Sequence, residues 1–425
     1  MLKGQFPVEK FASLRTPFYY YDLPLLRRTL DKIRECIEPY PQFHVHYAVK
    51  ANFNGRILQE ISRCGFGADC VSGGEVRAAL QNGFAPESIV YAGVGKSDEE
   101  ILVALDAGIA RFNVESAAEL EVINELALSR GVVAPVSLRV NPDIGAHTHA
   151  NITTGLAENK FGINYEQLPG VIELADSLPG VEYKGLHFHI GSQILEMDDF
   201  VALCNRINVL AEQILRQRRG RLVPAASSAA AVGYSSSAAG AAGVSGSGAV
   251  AGVAGAVASV LGDINVGGGL GINYYHPNHL DVAEFSQYFE TFARHLKLPE
   301  GTPVHFELGR SVVAPCGSLI SRVLYIKEGT TRRFAIIDAS MTELIRPALY
   351  KAYHRVENIS SYEPEEVYDV VGPVCESSDV FAKGVSIDKC HRGDFIAIRS
   401  AGAYGESMSS QYNCRPLPAC FFKED

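Results

Sequence analysis

The sequence predicts an α/β chain: a (β/α)8 TIM-type barrel with a C-terminal, mostly-β domain. Three observations predict it. From Phe43 onward, eight strand-like apolar runs alternate with helix-like stretches. Strands alternating with helices imply a parallel sheet, and eight such units suggest a closed barrel. Polar residues and glycines gather at the ends of those runs, which is the rim where barrels build their sites. Beyond Arg310 the texture changes to strand-like runs with few long helices between them.

Taken in order, Phe18–Tyr21 reads as a short strand expected to join the later β-rich part, and Leu23, Leu26, Leu30, Ile33 and Ile37 recur at helical spacing. The strand-like runs that follow are Phe43–Val49, Gly67–Cys70, Ser88–Ala92, Arg111–Val114, Val136–Val140, Gly185–Ile190, Asp263–Val266 and Val304–Glu307. Ala117–Ser129 and Val282–Leu296 are two of the helical stretches between them. Leu319–Lys327, Phe334–Asp338 and Phe395–Arg399 then read as strands of the second domain. The expected division is 24–311 for the barrel and 1–23 together with 312–425 for the β-rich domain. One segment, 222–262, interrupts the barrel. It holds no Asp, Glu, Lys or Arg and consists almost wholly of Ala, Gly, Ser and Val, which reads as a low-complexity insertion. Its scattered Gly and Ser do not suit a membrane helix.

Of the 425 residues, 47% are hydrophobic, ample for a core, and the formal net charge is −10 at pH 7. An acidic chain without a basic stripe argues against nucleic acid as a partner. Residues 1–11 lack the apolar region of a secretory signal, and no run of roughly 18 strongly apolar residues suggests a membrane span. The nine cysteines are odd in number and form no CxxC pair, as expected of reduced thiols in the cytoplasm.

Lys50 ends the first barrel strand, Asp69 the second, Arg139 the fifth and His189 the sixth; Gly267-Gly268-Gly269 follows the seventh, and Glu307 and Arg310 the eighth. By position alone, a lysine after an apolar strand is more often a solvated strand end than a reactive group. Its functional reading is a nucleophilic amine that condenses with a carbonyl, freed for that step by a pKa lowered through burial or a neighbouring cation. The glycine run is either a plain tight turn or, with Arg310 in the next loop, a phosphate cradle; barrel phosphate sites favour these two loops. Glu307 is either a structural partner of Arg310 or the carboxylate that keeps a pyridine nitrogen protonated. His187 and His189 share a strand face, as a metal pair or as core and stacking residues. His44 and His46 have the same ambiguity, and His147 and His149 fall in an expected loop. No Cys or carboxylate completes a metal set at suitable spacing, so no metal is expected.

These residues carry a family resemblance. Tyr47-Ala-Val-Lys-Ala-Asn52, His187-Phe-His-Ile-Gly-Ser-Gln193, Gly267–Gly269, Glu307-Leu-Gly-Arg310 and Gly372-Pro-Val-Cys-Glu-Ser-Ser-Asp379 resemble, in order, the diaminopimelate decarboxylase family. These are decarboxylases of the alanine-racemase-like, barrel-plus-β-domain type that use pyridoxal 5'-phosphate. The likeness covers nearly the whole chain apart from the insertion. It implies that Lys50 binds the cofactor covalently, with Asp69 near it. His189 would stack on the cofactor ring, Ser192 would help hold its phosphate, Gly267, Gly268, Gly269 and Arg310 would line the cofactor site, and Glu307 would meet its pyridine nitrogen. Arg139 and Gly309 would lie in the same cofactor site, and Tyr404 would touch both cofactor and substrate. Cys375 would donate the proton from a second subunit, which requires a homodimer with shared sites. Diaminopimelate carries a second amino-acid group, so its pocket needs a cation and an anion. Arg310, Arg346, Tyr350 and Glu376 would supply these, with Arg346 and Tyr350 on one face if their segment is helical. Pro347 argues against that helix, and a surface salt bridge is the other reading of Arg346. Decarboxylation of ornithine or carboxynorspermidine is the alternative substrate reading. A metal-dependent barrel hydrolase using the His-x-His pairs and a non-catalytic relative are the competing functions.

Overall fold

The computed structural model describes residues 6–142, 160–222, 261–277 and 282–424. His147, His149 and nearly all of 222–262 lie outside them. The first long helix, Leu23–Ile37, starts where Asp22 caps it by accepting a hydrogen bond from the Leu25 amide at 2.9 Å, and it buries Leu23, Leu26, Leu30 and Ile33 as the spacing predicts, with Leu25 added. Short apolar runs then alternate with capped helices. Ser72, Ser97 and Ser116 each cap a helix directly after a strand.

Those runs form β2 to β10, after a lone β1 at Phe18–Asp22: β2 (Phe43–Ala48), β3 (Gly67–Cys70), β4 (Ile89–Tyr91), β5 (Arg111–Val114), β6 (Ala134–Asn141), a two-residue β7 (Ile163–Asn164), β8 (Val181–His187), β9 (Asp263–Asn265) and β10 (Val304–Leu308). All pair in parallel in the order β5-β4-β3-β2-β10-β9-β8-β6, and β6 returns to β5, closing an eight-stranded barrel; β7 adds to the edge of β6. The sixth barrel strand, β8, begins four residues before the expected Gly185 and ends at His187. The Val181–Lys184 segment, part exposed, pairs beside Ala134–Val136 ahead of a bulge at Val136/Ser137. His189 therefore sits on the loop beyond the strand.

Past the barrel, β11 (Gly317–Glu328), β12 (Arg333–Ile337), β13 (Val356–Asn358), β14 (Glu365–Val371), β15 (Val380–Asp388), β16 (Phe395–Ile398) and β17 (Ala419–Lys423) make a second sheet in the order β13-β16-β11-β12-β14-β15. The long β11 bends at Val323/Tyr325. Its first half takes β16 and β1 as antiparallel neighbours, its second half takes β12, and β17 adds to β1 in parallel. The early strand β1 thus belongs to the β-rich sheet and delivers the chain into the barrel through the Asp22-capped helix. No described helix is long and apolar enough to cross a membrane.

Candidate active site

The C-terminal ends of the barrel strands surround a cavity of about 400 Å3 lined by Lys50, Arg139, His187, His189, Ser192, Glu307, Arg310, Arg346, Tyr350 and Tyr404, among others. A second cavity of about 660 Å3 abuts it and shares Arg310, Arg346 and Tyr350. Both volumes fall in the usual range for small-molecule sites.

Lys50 stands in a single 3-10 turn, Val49–Ala51, directly after β2. Asn52 fixes that turn: its amide donates to the Gly402 carbonyl at 2.9 Å and to the Tyr21 hydroxyl at 2.8 Å, both in the β-rich part. The Tyr404 amide in turn donates to the Ala51 carbonyl at 2.8 Å. Gly309 lets the next loop approach, since a Cβ there would meet the methyls of Ala48 and Ala51 at 3.1 Å.

The electrostatics of Lys50 run against the sequence expectation of a lowered pKa. Burial alone would lower it, but Asp69, Tyr404 and Glu307 more than offset that and hold the ammonium above its usual range. Its Nζ lies 3.7 Å from Asp69 Oδ2, and its side chain is 38% exposed, toward the cavity. The partner carboxylates come from other strands, which is why the lysine's own neighbours in sequence gave no sign of them. Asp69 is fully buried, with no hydrogen bond to either oxygen. Burial, then Glu307, hold its carboxyl well above the usual range.

Glu307 is the opposite case. It accepts from Asn265 at 2.8 Å, from Asn113 at 3.3 Å and from His187 Nε2 at 3.2 Å. Burial would raise its pKa, but His187, through charge and hydrogen bond, brings it below the carboxylate range. Glu307 does not pair with Arg310. His187 was read as half of a metal pair or a core histidine; it is buried and serves Glu307. His189 accepts the Gly268 amide at its Nδ1 over 3.3 Å. Burial, then Lys50 and Arg139, keep it neutral. Among the described residues no cluster of three or more His, Cys, Asp or Glu is arranged to hold a metal ion. His46 bonds His305, at the other end of the barrel.

Arg310 donates to Ser192 Oγ at 3.0 Å and to the Tyr274 hydroxyl at 2.8 Å, with the Tyr404 ring 4.9 Å from its guanidinium carbon. Arg346 opens a helix, Arg346–Tyr350, despite Pro347, which occupies the first turn, where proline is tolerated. At 5% exposure Arg346 is buried, so the surface salt-bridge reading does not hold. Among the described residues neither Arg310 nor Arg346 has a carboxylate partner. Buried cations left this way call for an anionic ligand. Arg139 differs: it donates to Glu115 at 2.7 Å.

The glycine run does less than a free phosphate cradle. The Gly267 amide donates to Asn265 Oδ1 at 2.9 Å and the Gly268 amide to His189. A Cβ on Gly268 would lie 1.9 Å from the Glu307 carbonyl, so close backbone approach requires glycine there in any case. None of the three lines the cavity. Cys375 and Glu376 also lie outside it, exposed, on a loop held to Asn413 and Tyr412. Tyr404 adopts φ 55°, a strained backbone at the cavity wall. The sequence reading had not singled out Tyr274, Asn113, Asn265 or His354, which hold the site residues in place. Their only sequence signal is polarity near strand ends.

The site fits pyridoxal phosphate: one wall offers a lysine amine, another an ionised carboxylate, and a buried guanidinium beside a serine hydroxyl has no anion of its own. Comparison with known proteins agrees. Residues 26–218 match the family model for the pyridoxal-dependent decarboxylase, pyridoxal binding domain. The diaminopimelate decarboxylase of Bacteroides thetaiotaomicron is 54% identical over 424 residues, covering 100% of both chains. The crystal structure of the Helicobacter pylori diaminopimelate decarboxylase complexed with L-lysine is 34% identical, with a TM-score of 0.80 over 98% of this chain and 94% of that one. The M. jannaschii diaminopimelate decarboxylase in co-complex with L-lysine is 32% identical, with a TM-score of 0.80 over 98% and 89%.

Proposed function

The chain belongs to the diaminopimelate decarboxylases, and from that premise we propose how its residues divide the work. The enzyme releases a carboxylate of meso-2,6-diaminopimelate as CO2 and leaves L-lysine, in lysine biosynthesis, with pyridoxal 5'-phosphate as cofactor. When bound, that cofactor supplies a sink for the electron pair that the departing carboxylate leaves behind.

Lys50 Nζ would hold the cofactor covalently. Its ammonium must first shed a proton, and Asp69 Oδ2, at 3.7 Å and with a raised pKa, is placed to take it. Glu307, ionised, would keep the pyridine nitrogen protonated. Arg310 and Ser192 would grip the phosphate, and the loop of Gly267, Gly268 and Gly269 would support the site through His189. Neutral His189 would pack against the ring, with Arg139, Gly309 and Tyr404 completing the cofactor site. Arg346 and Tyr350 would bind the distal carboxylate from the wall shared by the two cavities. Cys375 and Glu376, neighbours on one exposed loop, would both reach in from a second subunit, Cys375 to protonate the carbon and Glu376 to meet the distal ammonium. The exposure of Cys375, away from its own chain's cavity, supports a homodimer with shared sites, and the free thiols support a cytoplasmic one. In this reading residues 24–311 are the cofactor-binding barrel, and 1–23 with 312–425 form the β-rich domain.

One observation carries the reading: an amine and an ionised carboxylate line one cavity with two buried guanidiniums that lack carboxylate partners among the described residues. The test is CO2 release from meso-diaminopimelate beside ornithine. Ornithine has no distal carboxylate for Arg346, so only diaminopimelate should turn over. Turnover of ornithine alone would reject the substrate assignment.

A further inference from the structure

The distal carboxylate can be read only if Arg346 points where the substrate places that group, and a flexible guanidinium must be aimed by something. Its Nε donates to His354 Nε2 at 3.3 Å and its Nη2 to the Tyr274 hydroxyl at 3.3 Å. His354 is 1% exposed. Its Nδ1 lies 2.9 Å from the Arg399 carbonyl. A carbonyl only accepts, so Nδ1 must carry the hydrogen. In a neutral imidazole that leaves Nε2 as the acceptor, which is what a donating Arg346 Nε requires. Burial, then the Arg346 charge, hold His354 down to about 3, so the ring is neutral at working pH. The Tyr274 ring packs edge-on against the imidazole, centroids 5.0 Å apart at 76°. Tyr274 also accepts from Arg310, so one hydroxyl spaces the two arginines.

We propose that His354 is a positioning residue: anchored on the Arg399 carbonyl, it aims the Arg346 guanidinium and so sets recognition of the substrate's distal amino-acid group. The inference rests on the reading of Arg346 given above. It assigns His354 no contact with the reacting atoms. What it provides is direction, because Nε is held by His354 and Nη2 by Tyr274 while Arg346 lines both cavities.

Two isosteric changes separate aiming from scaffolding. Asn puts its amide near the Nδ1 position and can keep the Arg399 bond without reaching Arg346. Gln reaches the Nε2 position and can still accept from Arg346. In the holoenzyme, His354→Asn should raise KM for meso-diaminopimelate about tenfold, the worth of one hydrogen bond to a charged group, with kcat little changed. Inhibition by L-lysine, which retains the distal carboxylate, should weaken in parallel. Inhibition by cadaverine, which has no carboxylate, should not move. His354→Gln should stay within about threefold of the parent on all three readouts. Arg346→Ala is measured alongside. If it raises KM while His354→Asn is silent, or if Gln is impaired and Asn is not, His354 does not aim the arginine. A joint loss of kcat, cofactor absorbance and melting temperature, with no KM split, would mark a purely structural role and overturn the proposal. If Arg346→Ala itself leaves KM unchanged, the distal-carboxylate reading falls and takes this inference with it.

Discussion

The barrel carries two polar layers, and they are built on opposite terms. At its N-terminal end Arg111 pairs with Asp263 at 2.6 Å, Asp263 with His305 at 3.3 Å, His305 with His46 at 3.0 Å, and His46 with the Ser88 carbonyl at 3.2 Å. That is one continuous chain of donors and acceptors, with only Arg111 Nε left over. At the C-terminal mouth Asp69 has no hydrogen bond, Lys50 stands 3.7 Å from it, and two buried arginines have no carboxylate partner among the described residues. Both layers cost desolvation; the lower one recovers it within the protein, whereas at the mouth Glu307 and Arg139 do but Asp69, Arg310 and Arg346 find no charged hydrogen-bond partner among the described residues. The difference separates polar residues that stabilise the fold from those that wait for a ligand.

Subunit complementation should break the comparison most visibly. Lys50→Ala and Cys375→Ala should each lower kcat by on the order of 10³ or more, with the fold intact because neither belongs to the satisfied layer. Mixed and exchanged, the two inactive proteins should recover up to about a quarter of parental activity if each site draws on both subunits. No recovery after verified exchange would separate Cys375 from the shared site.

The lower layer should respond in the other currency. Arg111→Ala strands Asp263 and should cost about 1–3 kcal/mol of stability, read by denaturant midpoint, while leaving the turnover of folded enzyme near normal. A loss of activity at unchanged stability would mean that the lower layer takes part in function.

The smallest effect is a pH slope. Burial, then His305, lower the pKa of His46 from 6.5 to about 3. The unfolded chain therefore binds a proton that the folded one refuses. The stability due to His46 is complete above pH 6.5 and is lost as the pH falls from there toward 3, at about 1.4 kcal/mol per unit. His46→Asn should flatten the stability profile between pH 6.5 and 5.5 by about 1 kcal/mol. An unchanged slope would mean that His46 is already protonated in the fold.

The same contrast explains what the sequence could reveal. The barrel was legible because most of its apolar runs ended on a residue that made sense at a rim, among them Lys50, Asp69 and Glu307. Local order carried those positions. The lower layer was not legible, since His46, Arg111, Asp263 and His305 are far apart in the chain and meet only when β2, β5, β9 and β10 close the ring. The sign of the Lys50 shift was missed for that reason: Asp69 and Glu307 reach it from β3 and β10, the strands on either side of β2. Gly268 was read for a phosphate, whereas the Glu307 carbonyl beside it already excludes any side chain. Pro347 was weighed as a helix breaker, although at the first turn it is compatible with the helix that carries Arg346 and Tyr350. Tyr274 and His354 act through other residues, and no motif marks such supports.

The central claim is that the unsatisfied amine at the mouth is the cofactor's anchor. Purified protein given excess pyridoxal phosphate, reduced with borohydride and mapped by peptide mass, tests it directly. The account predicts the pyridoxyl group on Lys50 and an unlabelled Lys50→Ala variant. Label on another lysine, or on none, would contradict it.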